Sequence, residues 1–423
     1  MTPSDAPPAS PIWFEHWRTA ASTRLGEPVL PSTDEEVWRY SPIAELDLTS
    51  WTAPTRDDGS GVPAGALAVL DTIDDPAAVV VVRNGFVVHH EMSAVWADRG
   101  VYVGPIVDAP ETATPQELLG SVAADGPDVF ATINDVTVID PLLVWVPAGV
   151  SVDQPIVIID WIDADDVIVA PRLIVRLGAN AEAKVLEWHG SDDVAAFVTS
   201  LVELDLAHAA RLGFGSVQQR GPRIWQVASQ VSRVAADATL DSAQVALGAD
   251  YGRTRTDCRL VGRGATGNLR AVYFGVGRQT LDFRTFQQHA APDTTSNLLF
   301  KGVVDDHSKS VYTGLIKVEK DARGTNAYQT NRNIKLSEHA WAESVPNLEI
   351  ETNDVRCSHA STVGPIDEEQ RFYLESRGVR TDVAERLIVA GFFDEVLEEF
   401  PVPGVVPLIA SAIEDRLDRR SEA

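Results

Sequence analysis

The chain has 423 residues, 44% of them hydrophobic, and a formal net charge of −27. That length exceeds what one compact core usually holds, so two or three folded units are expected. The excess of acid, 62 acidic against 35 basic residues, argues against a nucleic-acid or anionic-membrane surface over most of the exterior, because either polyanion would be repelled.

A Pro/Ser/Ala-rich leader, "MTPSDAPPASPIWFEHW", has no basic stretch followed by an apolar run, and no segment elsewhere reaches the roughly 18 apolar residues of a membrane span. Together with only two cysteines, Cys258 and Cys357, this reads as a soluble protein of a reducing cytoplasm. "PIWFEHWRTAASTRLGE" then places Trp13, Trp17, Ala20 and Ala21 at helical spacing, with Gly26 and Pro28 as the stop. "PSTDEEVWRYSPIAEL" gives acidic residues at a helix start and the aromatic pair Trp38 and Tyr40. In "AVVVVRNGFVVHH", Asn84-Gly85 is the expected turn between two strands, and His89 and His90 close the hairpin on opposite faces.

From about residue 140 to 353 nearly every segment reads as a short strand, and helical periodicity almost vanishes. Turn-like motifs recur near residues 181, 209, 238, 266 and 295, as in "GANAEAKV" and "AADATLDS", at a period of roughly 28 residues that signals stacked repeats. Stacking of coils that cannot bury their apolar faces singly predicts a right-handed parallel β-helix, with a β-sandwich as the rival. The end is helical again. "DEEQRFYLESRG" runs from Asp367 to Gly378, and "TDVAERLIVAGFFDEVLEEF" opens with Asp382 and Glu385 in capping-box spacing and stops before Pro401. A last amphipathic helix, "VPLIASAIEDRLDRRS", follows. The expected organisation is a helical and mixed unit over 1–130, the β-helix over 131–364 and a helical unit over 365–423. Leu387, Phe392, Phe393 and Val396 are too many bulky apolar groups for a bare surface, so they either pack on the other helices or form a partner-binding face.

Enzyme signatures are largely missing. There is no phosphate-binding G-x-x-x-x-G-K-[ST] loop, no G-x-S-x-G elbow and no H-E-x-x-H zinc helix. Gly262, Gly264 and Gly267 match G-x-G-x-x-G, but the strand-like "NLRAVYFGV" follows where a dinucleotide site needs a helix N-terminus. Asp305, Asp306 and His307 read as a polar turn, and Cys258 as a buried filler. Cys357 and His359, in "DVRCSHASTVG", stand at i and i+2 and would share one face of a strand. Thiolate and imidazole are good iron ligands, but two ligands leave a site incomplete. A packed thiol beside a strand-end histidine is the plainer alternative.

The run "YQTNRNIKLSEHAWAESVPNLEIETNDVRCSHASTVGPIDEEQRFYLESRG", continued by "AERLIVAGFFDEVLEEFP", closely resembles the C-terminal signature of the SufD family of the SUF iron-sulfur cluster assembly system. "EEVWRYSPI", "VVRNG" and "SNLLFKGVVDDHSKSVYTGLIKV" are also similar to SufD segments, so the resemblance spans most of the chain. It implies a β-helix between N- and C-terminal helical domains. It further implies a non-catalytic cytoplasmic scaffold that pairs with SufB through the β-helix and docks the ATPase SufC through the C-terminal helices, here Leu387, Phe392, Phe393 and Val396. The family's interface histidine falls on His359 and its neighbouring cysteine on Cys357, with SufB completing a site for iron or a transient cluster. No cofactor would be held stably by this chain alone, and a reduced flavin in the complex stays open. Where the commoner motif reads "CSHGAT", this chain has Ala360 and Ser361, which removes no ligand. Three alternatives stand beside this reading: a SufB-like paralogue, disfavoured by the shortage of cysteines; a self-associating scaffold; and a β-helix enzyme acting on polysaccharide or acyl groups.

Overall fold

The computed structural model describes residues 10–56, 61–124 and 126–422. Residues 1–9 of the leader therefore lie outside the described residues. The centre of the chain is a parallel β-solenoid built from two ten-stranded sheets. Successive strands alternate between the sheets, so each strand pairs with the strand one full coil away. Arg211, for example, is in register with Glu182 of the coil before and Thr239 of the coil after.

The repeat seen in the sequence is the repeat of one corner. Asn180, Ala209, Asp237, Gly264, Asp293 and Gly324 all adopt positive φ, between 54° and 72°. Each donates its N–H to a carbonyl in the corresponding turn of the next coil, from Asn180 to His208 at 2.9 Å through to Gly324 and Asp354 at 2.8 Å. The residue after each one, Ala181, Ala210, Ala238, Ala265, Thr294 or Thr325, is small and buried, which lets the chain turn into the lumen without a bulge. Left-handed backbone explains the Asn, Asp and Gly of the motif. Along each strand, inward residues alternate with outward ones, and the inward rows of Val, Leu, Phe and Tyr fill the tube.

The outer faces are covered too. The N-terminal helix Ile12–Leu25 buries Phe14 and Ala21 and packs Trp13 and Trp17 beside them, so of the expected stripe only Ala20 is exposed. Trp38 sits in a short 3₁₀ turn rather than a helix, beneath the Arg253 guanidinium at 3.7 Å. Arg172 and Glu203, both buried, pair at 2.7 Å, and Glu203 also accepts from the backbone N–H groups of Gly120, Val122 and Ala123. The hairpin Ala78–Arg83/Phe86–Met92 turns at Asn84 and Gly85, both with positive φ as expected, and its first strand pairs in parallel with Ile156–Ile162. The sheet thus begins well before residue 131.

Three helices close the chain: Glu368–Ser376, Thr381–Leu397 and Val406–Glu422. The first is capped by Asp367, whose carboxylate accepts from Glu369 and Gln370 N–H, and Gly378 follows its end with φ +86°. The second has no side-chain cap. Asp382 pairs with Arg380 instead of forming the capping box, because the helix starts one residue earlier, at Thr381. Val389, Phe393, Val396 and Ile409 pack on Leu186, Trp188, Val272 and Phe274 of the sheet's outer face.

The two ends of the tube differ. At one end Phe86–Met92 and Tyr102–Pro105 pair antiparallel to their neighbours and finish the two sheets. At the other, Trp341–Ile350 and Val355–Pro365 run parallel and each has a single neighbouring strand. These are long strands with open edges, which template pairing with another chain. Among the described residues no helix is long and apolar enough to cross a membrane.

Candidate functional site

His359 lies on the open terminal strand Val355–Pro365 and is exposed. Its register partner on the preceding coil is Gln329, and that of Cys357 is Ala327. Ala327 and Gln329 are buried, so Cys357 and His359 continue the inward row of the tube out to its mouth. The two side chains share a face, as their spacing implied. What the sequence could not place was that face at the end of a solenoid, looking along the lumen.

The pair is not equivalent. Cys357 packs with Ile316, Val318, Ala327 and Leu348, and this burial raises its thiol above the ordinary cysteine value. At neutral pH it is a protonated thiol tucked into an apolar cluster. His359 has no such cover. Among the described residues no group of three or more His, Cys, Asp and Glu side chains converges to hold a metal ion. The mouth therefore presents an exposed imidazole beside a packed thiol.

A second feature adjoins the mouth. A groove of about 880 Å³ runs between the last strands and the helices, lined by Arg332, Thr362, Tyr373, Leu374, Leu387 and Phe392. Leu387 is 52% exposed beside it, and Phe372 and Tyr373 are 71% and 58% exposed. Phe393 and Val396, by contrast, are each 1% exposed. The expectation that all four apolar residues of this helix meet a partner is corrected: Phe393 and Val396 are anchors on the solenoid, with the Phe393 ring centroid 6.4 Å from that of Phe274. Leu387 and Phe392 remain at the groove. The sequence reading missed Phe372 and Tyr373, whose signal was an aromatic pair in an otherwise polar helix, "EEQRFYLES".

The remaining motifs resolve as structure. Gly262 sits against the Ala236 backbone and Gly264 takes φ +70°, so the G-x-G-x-x-G run is a solenoid corner leading into the strand Thr266–Gly275. Asp305, Asp306 and His307 form the turn between two strands. Cys258 is fully buried in the lumen, where burial pushes its thiol up to about 11.

The chain is thus a tube of parallel coils, finished at one end and open at the other, with a thiol and an imidazole at the open mouth. Residues 161–392 match the family described as SUF system FeS cluster assembly, SufBD core domain, and residues 8–158 match the SufBD protein N-terminal region. The chain belongs to the SufBD family of iron-sulfur cluster assembly proteins. Within it the chain is SufD-like. The iron-sulfur cluster assembly protein SufD of Escherichia coli is 28% identical, across 92% of this chain and 89% of its own length. That of Bacillus subtilis is 26% identical, across 96% and 94%. An iron-sulfur cluster assembly SufBD family protein of Mycobacterium tuberculosis is 34% identical, across 92% and 90%.

Proposed function

We propose that this chain is the SufD-type half of a SufB–SufD scaffold, working in the cytoplasm without catalysing a reaction of its own. The observation that carries the proposal is the open end of the solenoid. Val355–Pro365 leaves one edge without a strand, and His359 is exposed on it in line with the lumen. A homologous solenoid that adds its own terminal strand there would bring its ligands within reach of the imidazole. His359 then supplies one ligand to iron or to the nascent cluster, and SufB supplies the rest. Iron and sulfide are cargo, held only while the two mouths face each other.

The groove between the last strands and the C-terminal helices is the docking face for the ATPase SufC, with Leu387 and Phe392 as its apolar contacts. Phe372 and Tyr373 extend the same face. ATP hydrolysis belongs to SufC, in keeping with the lack of a phosphate loop in this sequence. Co-expression with SufB and SufC, followed by anaerobic reconstitution, tests both parts. His359→Ala should leave the complex intact and lower cluster yield, whereas unchanged yield would remove the ligand role. Leu387→Asp should release SufC and retain SufB. If the chain alone forms a dimer that SufB cannot displace, the open edge serves self-association instead.

A further inference from the structure

One outward row of the sheet that ends in Trp341–Ile350 changes character near the open end. Phe197, Trp225 and Tyr251 stand in register on three successive strands, and the row runs on through Thr280 and Lys309 to Trp341. Trp38 and Ile43 of the N-terminal segment pack in one cluster with the three aromatic members. Further along, Tyr40 meets Trp341, with ring centroids 5.4 Å apart and the rings tilted by 53°. Between these two anchorages the segment spans Thr280 and Lys309, where the row has no bulky apolar side chain to fill the space. The gap is a pocket of about 590 Å³, within the roughly 300–1,000 Å³ of small-molecule sites. The run "EEVWRYSPIAEL" supplies one wall of it through Arg39, Tyr40 and Glu45.

The lining joins positive charge to aromatic surface. Arg39 and Lys309 both line the pocket, and neither pairs with a carboxylate among the described residues. Arg253, Arg255 and Arg284, on neighbouring strands, all do. Glu45 is the carboxylate of the lining, so two cations and one anion leave the pocket a net charge of +1 on a chain of −27. Asp34, Glu35 and Glu36, exposed just upstream, repel an extended polyanion, and the charge therefore suits a small anion held inside. Arginine offers phosphate a planar fork and lysine a point charge, while rings such as those of Trp341 and Tyr40 stack on planar heterocycles. Ser41, buried, donates to the Trp38 carbonyl at 2.8 Å and fixes the turn that carries Arg39 and Tyr40.

We propose that this pocket binds a small planar aromatic ligand bearing a single phosphate, of the size of a nucleoside monophosphate. Arg39 and Lys309 hold the phosphate, and Trp341 and Tyr40 pack against the ring. The net charge of the lining matches one phosphate and falls short of a triphosphate. Neither His359 nor Leu387 lines the pocket, so the inference stands apart from the roles proposed for the mouth and the groove.

Calorimetric titration of the full chain with AMP, GMP, UMP, adenosine, inorganic phosphate and ATP tests this. At least one monophosphate should bind saturably; for AMP, adenosine and phosphate alone should each bind about 10-fold more weakly, and ATP no more tightly. Arg39→Gln and Lys309→Gln should each weaken the bound monophosphate about 10-fold or more, because a hydrogen bond to a charged group is lost. Thr280→Phe carries the aromatic row into the gap, and it should abolish binding while the melting temperature holds or rises. Arg39 and Lys309 are exposed, so their variants fold and carry the test even where Thr280→Phe does not. Saturable binding of none of the three monophosphates at millimolar concentration overturns the proposal. Phosphate or adenosine binding as tightly as AMP overturns the two-part ligand, and ATP binding more tightly overturns the single phosphate. If a monophosphate binds and the Arg39 and Lys309 variants bind it as the parent does, its site lies elsewhere and the assignment to this pocket fails.

Discussion

Replacing Phe393 with alanine, and separately Leu387, tests the anchoring of the helix Thr381–Leu397 apart from the SufC docking proposed for it. Phe393 is 1% exposed and wedged between the helix and the sheet, near the Phe274 and Phe392 rings. A buried Phe→Ala change costs about 3–5 kcal/mol, of which the aromatic pair accounts for roughly 0.5–1.5. Leu387 is 52% exposed, so its truncation removes less than half of a buried leucine's transfer free energy, under about 1 kcal/mol. Hydrogen exchange of the helix amides reads this directly, since about 1.4 kcal/mol is a factor of ten. Phe393→Ala should lower protection across Thr381–Leu397 by roughly two to three decades, and Leu387→Ala by less than about one. In a SufC binding assay the order should reverse once each variant is compared at a temperature where it is folded. A Phe393→Ala protein with near-parental protection would refute the anchor, and so would a Leu387→Ala protein as destabilised as Phe393→Ala.

Three further outcomes follow from the same geometry. In native protein, iodoacetamide should modify Cys357 slowly and Cys258 only after denaturation, because burial raises both thiols and encloses Cys258 completely; equal rates would contradict this. Gly302→Ala should destabilise by about 1–3 kcal/mol in a thermal melt, because the new methyl meets the Tyr273 ring, whose hydroxyl bonds Asn333 at 2.7 Å and Asn331 at 3.0 Å. Gly364→Ala, with nothing within 4 Å, is the matching control and should be near neutral. Finally, Lys301 is buried, donates to the Phe392 carbonyl at 2.7 Å and pairs with Glu395, and that hydrogen bond holds the Glu395 carboxyl below its ordinary value. A depressed carboxylate contributes stability above its unfolded pKa and loses it as pH falls through the folded one. The stability gap between parent and Lys301→Met should therefore narrow between about pH 6 and pH 3, and a gap independent of pH would show that Glu395 plays no part.

Much of the solenoid was legible because its cause is local. Each coil must turn through left-handed backbone at the same corner, which Gly, Asn and Asp do most readily, so the period appears as "GANAE", "AADAT" and "GRGAT". The Asp367 cap and the Asn84-Gly85 turn were readable for the same reason: a side chain or a backbone preference acts within three residues. That Ala78–Arg83 joins the solenoid sheet was not legible, because its parallel partner lies about 78 residues further along and nothing in its own neighbourhood records that pairing. Likewise, the face each apolar residue of the helix Thr381–Leu397 presents is set by a sheet distant in sequence. Phe392 and Phe393 looked alike in the chain and differ in the fold.

By itself the sequence determined the repeat, the helices that follow it, the family signature and the shared face of Cys357 and His359, since all of these depend on residues close together along the chain. Only the tertiary structure decided that this face continues the inward row to an open mouth, and that Cys357 is packed while His359 is bare. Stacking is the physical reason. Parallel coils bring residues about 30 positions apart into register, and which coil is last, with nothing covering it, is a property of the assembled tube and not of any segment within it.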